Sequence, residues 1–174
     1  MERIPVSNNF FLDEFVDPFT FFTDADHGLS KLDPKLIDCV QLLREKAGHS
    51  ININNWWGYY VSKKGNLSNS QIISNIEAGN YSKWSGYRSA KCPIGAKSSA
   101  HKLGKGADPK GNEKELFKIV EDNAKEFYDL GLRRLEDPKI TKGWLHIDTH
   151  ERNCLPGYIN VVDLKTVVER IKAN

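Results

Sequence analysis

The stretch Ser99-Ala-His101-Lys-Leu-Gly104-Lys-Gly106-Ala-Asp108 constrains this chain more than any other. Two glycines so close together exclude a single helix, because the pair costs about 2 kcal/mol against alanine in a helix interior. They permit a tight turn instead. Such a turn folds His101 back beside the start of a strand carrying Asp108, so an imidazole and a carboxylate converge on one point. Two ligands rarely make a tight zinc site, and a third must come from elsewhere. His146, in Trp144-Leu-His146-Ile-Asp148, is the candidate. That run reads as a strand, in which positions 146, 148 and 150 share one face. Zinc in hydrolases commonly takes three N or O ligands and keeps a fourth position for water. The pKa of that water falls towards about 7. The expectation is one Zn²⁺ on His101, Asp108 and His146, in a metallohydrolase.

The rest of the chain reads as one α+β domain over residues 1–174, long enough to bury a core without disulfides. Residues 1–32 are aromatic-rich and irregular, and are expected to wrap onto the core through Phe10, Phe11, Phe15, Phe19, Phe21 and Phe22. Asp33-Pro34 supplies an N-cap and an N1 proline. Leu36, Ile37, Val40 and Leu43 follow at helical spacing up to Gly48. Ile51–Trp56 alternates like a strand. A polar insertion loop at about 58–83 carries one short helical candidate, around Ser70–Ala78. Its aromatics, Trp56, Trp57, Tyr59, Tyr60, Tyr81 and Trp84, suit either a small second core or a substrate groove. Glu113–Leu130 reads as a helix ended by Gly131, Leu132–Leu135 and Leu145–Thr149 as strands, and Val161–Lys172 as a C-terminal helix with Val162, Leu164, Val167, Val168 and Ile171 apolar. Helices mixed with short, hairpin-spaced strands predict a mostly antiparallel sheet.

Several function classes drop out. Lys and Arg number 25 against 23 Asp and Glu, a net charge of +2 with no basic run, which argues against nucleic acid as a partner. Nowhere do 18 apolar residues run together, so no membrane span is expected. The N-terminus lacks the basic and apolar regions of a signal peptide. The chain is therefore expected to be made in the cytoplasm. The odd cysteine count, with Cys39, Cys92 and Cys154 far apart in sequence, suits free thiols in a reducing compartment. Oligomeric state is not legible.

The motif segment resembles the S-x-H-x-x-G-x-A-x-D pattern of the zinc D-alanyl-D-alanine metallopeptidases. That group also includes VanX-type dipeptidases, phage L-alanyl-D-glutamate endolysins and the hedgehog-type zinc fold. Trp144-Leu-His146-Ile-Asp148 resembles their downstream W-x-H or H-x-D strand, and Ser85-Gly-Tyr-Arg-Ser89 their G-Y-R-S segment. The likeness runs from about Phe10 to Asp148. It implies a central antiparallel sheet flanked by helices, with the site in an open groove. It implies His101, Asp108 and His146 as zinc ligands, Arg88 as the arginine binding a substrate carbonyl or carboxylate, and Ser99 as a residue contacting substrate or shaping the ligand loop. The implied substrates are peptidoglycan stem peptides. A wall-active chain without a leader would act after release or as part of a virion, which suits a phage or prophage origin.

Two departures stand out. The motif alanine is Gly106, with Ala107 after it, which leaves the ligand spacing intact. Many members carry a general-base carboxylate three residues before the last histidine, where this chain has Gly143; others carry a histidine where this chain has Trp144. Asp148 is the first candidate for the base, with Glu136 and Asp137 next. Asp148 is equally suited to orienting a ligand histidine. A chain lacking its base also fits a non-catalytic wall-binding or virion structural protein that keeps the fold.

Overall fold

The computed structural model describes residues 1–163 and 166–173. The N-terminal wrap holds two short helices, α1 (Leu12–Phe15) and α2 (Pro18–Thr23), and a 3₁₀ turn at Leu29–Lys31. Asp17 caps α2 through Thr20 N–H, and Phe10, Phe15 and Phe21 are buried. Helix α3 (Pro34–Ala47) starts and stops where the sequence says. The Asp33 side chain accepts from Lys35 N–H, and Gly48 closes the end in the left-handed region at φ 68°. Leu36, Ile37, Val40 and Leu43 form its buried stripe.

The segment read as an insertion loop is largely helical: α4 (Trp57–Lys63) and α5 (Asn69–Ala78). Ser68 and Gln71 build a reciprocal cap at the start of α5. Trp56, Trp57, Tyr59, Tyr60 and Tyr81 join the core rather than a groove, while Trp84 is half-buried outside both. Trp56 stands 5.4 Å from Phe21, and Trp57 4.7 Å from Tyr60, between ring centroids.

Ile51–Trp56 is not a strand. Only Asn52 forms a bridge, to Lys110. The amides that broke the alternation tie loops together instead. Asn54 accepts from Ser85 N–H and donates to the Val16 carbonyl, and Asn55 accepts from Ser82 N–H. The long helix expected at 113–130 is two, α6 (Glu113–Asp122) and α7 (Ala124–Leu130), broken at Asn123 (φ −120°, ψ 28°). The Asn123 amide donates back to the Ile119 carbonyl at 2.8 Å, a local bond that competes with continued helix.

Five strands form one sheet: β1 (Gly106–Ala107), β2 (Arg134–Glu136), β3 (Ile147–Asp148), β4 (Tyr158–Asp163) and β5 (Thr166–Lys172), in the order β1-β3-β2-β4-β5. The fold is α+β, but the sheet is mixed, because β2 runs parallel to β4. The C-terminal helix expected over 161–172 is instead the antiparallel pair β4–β5, with an irregular register at Val161/Val162. β-Branched residues crowd this segment and favour a pleated surface. Pairing with β2 decides between two periods that the apolar positions nearly satisfy alike. Leu164, counted in that helix, lies outside the described residues.

Candidate metal centre

The sheet positions the site through its two-residue period. Gly106 pairs with Asp148, and Arg134 with Asp148 from the other side. Paired residues of neighbouring strands project from the same face. Asp108, His146, Asp148, Arg134 and Glu136 therefore share one face, while Ala107, Ile147, Leu135 and Val161 fill the core on the other. A groove of about 560 Å³ opens on the polar face. Its walls include Arg88, Ser99, Glu136, Trp144 and Arg152 beside the His–Asp cluster.

His101 comes from a 3₁₀ turn, Ala100–Leu103, closed by Gly104 at φ 69°. A Cβ on Gly104 would also run into the Lys31 carbonyl, so this position needs glycine twice over. Segment 85–89 is laced to both halves of the motif. The Ser85 carbonyl accepts from Asp108 N–H at 2.6 Å, and Arg88 N–H donates to the His101 carbonyl at 3.1 Å. The Gly86 carbonyl faces His101 Nδ1 at 2.8 Å. A Cβ on Gly86 would collide with the Phe15 backbone, which ties the N-terminal wrap to the ligand loop.

The Gly86 carbonyl fixes the His101 tautomer, and His146 lies between two carboxylates. His101 Nδ1 donates to Gly86, which leaves a lone pair on Nε2. His146 Nε2 faces Asp148 Oδ2 at 3.3 Å, and when Nε2 carries the proton of a neutral ring, Nδ1 presents its lone pair. His146 Nδ1 and His101 Nε2 are 3.1 Å apart. Asp108 Oδ1 lies 2.8 Å from His146 Nδ1 and 3.2 Å from His101 Nε2. In that tautomer three lone pairs meet at one buried point, an arrangement that suits a cation. In the metal-free chain a proton serves. Burial opposes charge on His146, but Asp108 and Asp148 outweigh it and raise its pKa to about 10. Burial holds His101 below its ordinary value, with the Asp108 carboxylate opposing. Burial pushes the Asp108 pKa up, yet the two imidazoles overcome it and hold the carboxyl below its usual range.

His101, Asp108 and His146 form a cluster able to hold a metal ion, with donor atoms within 4.8 Å of one another. Tetrahedral zinc with bonds of about 2.0–2.2 Å spaces its ligand atoms about 3.3–3.6 Å apart. The observed 2.8–3.2 Å needs less than about 1 Å of widening. The donor set of two imidazoles and one carboxylate also suits zinc.

The neighbours sort by what they touch. Arg88 donates from Nη2 to Asp108 Oδ2 at 3.0 Å and from Nε to the Trp84 carbonyl at 2.6 Å, and its side chain lines the groove. Ser99 heads the His101 turn on the groove wall, and its side chain makes no capping bond. Asp148 is 1% exposed with both oxygens engaged: Oδ2 by His146 and Oδ1 by His150 N–H at 2.9 Å. Asp137 turns away, accepting from Lys139 N–H at 2.9 Å. Glu136 stays on the groove wall, with its N–H donating to the His146 carbonyl at 3.1 Å. Gly143 sits in a turn at φ 81°, its N–H on Glu113 Oε2. His27 stacks on Phe21, and His49 faces Glu115; neither approaches the site. The sequence reading missed Arg134, Arg152 and Asn153 as groove residues. Arg134 had a signal: it alternates with buried Leu135 and precedes Glu136 by two. Arg152 and Asn153 lie in a turn after β3 and had none.

No family model matches the chain, and neither does any curated protein or solved structure.

Proposed function

We propose that this chain is a zinc-dependent peptidase that hydrolyses amide bonds in peptidoglycan stem peptides. The observation that carries the reading is the convergence of three potential ligand atoms, His101 Nε2, Asp108 Oδ1 and His146 Nδ1, on the wall of a peptide-sized groove. Zinc is the fitting cation, and when bound it would polarise a peptide carbonyl and lower the pKa of a water. The substrate class rests on the resemblance of the 85–89, 99–108 and 144–148 segments to the D-alanyl-D-alanine metallopeptidases.

The chain's own groups supply the rest. Arg88 spends one nitrogen on Asp108 and another on Trp84, which leaves donors to offset charge on a tetrahedral oxyanion. Asp148 stands 3.3 Å behind His146 Nε2, which suits the role of a carboxylate that orients a ligand histidine to present Nδ1. Glu136 is the groove carboxylate that makes no ion pair or side-chain hydrogen bond among the described residues. It stands across the strand pair from His146. It is assigned to accept the proton of the attacking water at its carboxylate and return one to the leaving amine. Trp144, Val162 and Val167 give the groove an apolar wall for the stem of a peptide.

The test is zinc-supplemented hydrolysis of purified muropeptides, followed by mass spectrometry. New amines and shortened peptides that vanish in His101→Ala support the reading. Zinc retained in one-to-one ratio without any cleavage leaves the wall-binding alternative.

A further inference from the structure

From the unspent charges of the groove we infer that Arg134, assisted by Arg152, forms a carboxylate-binding subsite on the β2 side of the metal cluster. The inference rests on the peptide reading above and narrows it to peptides that place a free carboxylate beside the scissile bond.

The groove carries three guanidinium groups, and they differ in what they have to do. Arg88 is committed, to Asp108 at 3.0 Å and to Trp84 at 2.6 Å. Arg134 is not. Its side chain retains only 19% exposure, so most of its hydration is gone. Among the described residues no oxygen accepts a hydrogen bond from its guanidinium. The Asp148 carboxylate lies 3.8 Å from Nε, beyond hydrogen-bond reach, and its oxygens already serve His146 and His150. A largely buried charged donor with no acceptor is costly unless something supplies one.

Strand register says where that something would lie. Arg134 and Glu136 are two apart on β2 and face the same groove. Side chains so placed stand about 6.5–7 Å apart, the span of roughly two residues of peptide bonds around a reacting carbonyl. A carboxylate on Arg134 therefore sits next to, not on, the reacting centre. Guanidinium is the side chain suited to this, because its planar fork matches a carboxylate with two parallel bonds. Arg152 lines the same groove from the turn after β3, and its side chain also makes no hydrogen bond among the described residues. The carboxylates present do not cancel these two cations: Asp108 and Asp148 are engaged, and Glu136 alone is unspent.

The carboxylate can come from a peptide C-terminus or from an acidic residue within the chain. Calorimetric titration separates the sources without any need for turnover. Chelator-treated protein is titrated with a stem pentapeptide as the free acid, with only its C-terminal carboxylate amidated, and with only its internal carboxylates amidated. One amidation is expected to weaken binding about 10- to 100-fold, the worth of a charge-assisted bidentate pair, and to name the source. Arg134→Gln is expected to lose that preference while binding the amidated peptide as the wild type does. Arg134→Lys keeps part of it, and Arg152→Gln loses several-fold. Far-UV circular dichroism checks that each variant is folded, and the amidated-peptide arm on wild-type protein needs no variant. A wild type that does not prefer the acid, or an Arg134→Gln variant that prefers it as strongly, overturns the subsite. Cleavage that proceeds without Arg134 dependence upholds the peptidase and removes the subsite. Arg134-dependent binding without cleavage by the zinc-loaded protein upholds the subsite and removes the peptidase.

Discussion

On one side of the sheet, Ala107, Leu135, Leu145, Ile147 and Val161 are at most 2% exposed and belong to one apolar cluster. On the other, Asp108, Arg134, Glu136, His146 and Asp148 line a groove. The two sets alternate along the same short strands, one residue apart. Their side chains differ in what they depend on. The inner set is held by exclusion of water, which is non-directional and scales with area. The outer set is held by directed bonds, each of which names its partner. Substitutions on the two sides should thus fail differently: the inner in stability, the outer in metal or substrate handling with the fold intact.

The sharpest break of that comparison is at the ligands. His101→Ala and Asp108→Ala are expected to abolish hydrolysis and one-to-one zinc binding, with helical circular dichroism retained. Collapse of the secondary structure would instead make the ion a structural requirement of the sheet. Glu136→Gln comes next, with an expected loss of about 10²–10⁴-fold in kcat at unchanged zinc content. If Glu136→Gln is silent while Asp148→Asn loses kcat with zinc retained, the base is Asp148. Leu135→Ala, one residue away, is expected to lose about 2–5 kcal/mol of stability in denaturant titration. At temperatures where it remains folded, its kcat should stay near wild type. Asp148→Asn is expected to weaken zinc affinity about 10–100-fold, read by chelator competition.

The last expectation concerns pH. His146 has a pKa of about 10 in the metal-free fold, against about 6.5 unfolded. The proton is bound more tightly by the folded chain. Its stabilisation is present in full below about pH 6.5 and is lost as pH rises through about 10. The melting temperature of chelated protein should fall over that window, and fall less in the zinc-loaded protein, where the ion replaces the proton. Equal slopes would sink this account.

The outer face was more legible than the inner frame. His101, Asp108 and His146 carry chemistry in their identity and spacing, so their convergence could be read from local turn and strand signals before the order of the sheet was known. Asp33, Pro34 and Gly48 marked α3 because caps are local. Where the outcome depended on distant partners, the sequence was mute or misleading. Val161–Lys172 has apolar positions that suit a helix, and pairing of β4 with β2 on one side and β5 on the other makes it strand instead. Ile51–Trp56 alternates, yet Asn54 and Asn55 find partners 27 to 38 residues away. Arg152 and Asn153 were invisible as groove residues because nothing local distinguishes a turn residue facing solvent from one facing a cleft, whereas the alternation of Arg134 with Leu135 could have placed Arg134 on the face of Glu136.

One contact bears on how the molecule comes together. Thr149, directly after β3, donates its hydroxyl to Asp33 Oδ2 at 2.7 Å, across 116 positions of chain, while Asp33 N–H donates to the Gly104 carbonyl at 2.9 Å. The residue that caps α3 thus also pins the turn carrying His101 to the strand carrying His146. Such long-range closures are slow to form, because chain entropy is spent before any contact returns it. The helices are local and can appear early; the ion site needs three remote segments at once. A newly made chain would therefore acquire its helical signal before it can capture metal, and chelators would slow the last phase of refolding but not the first.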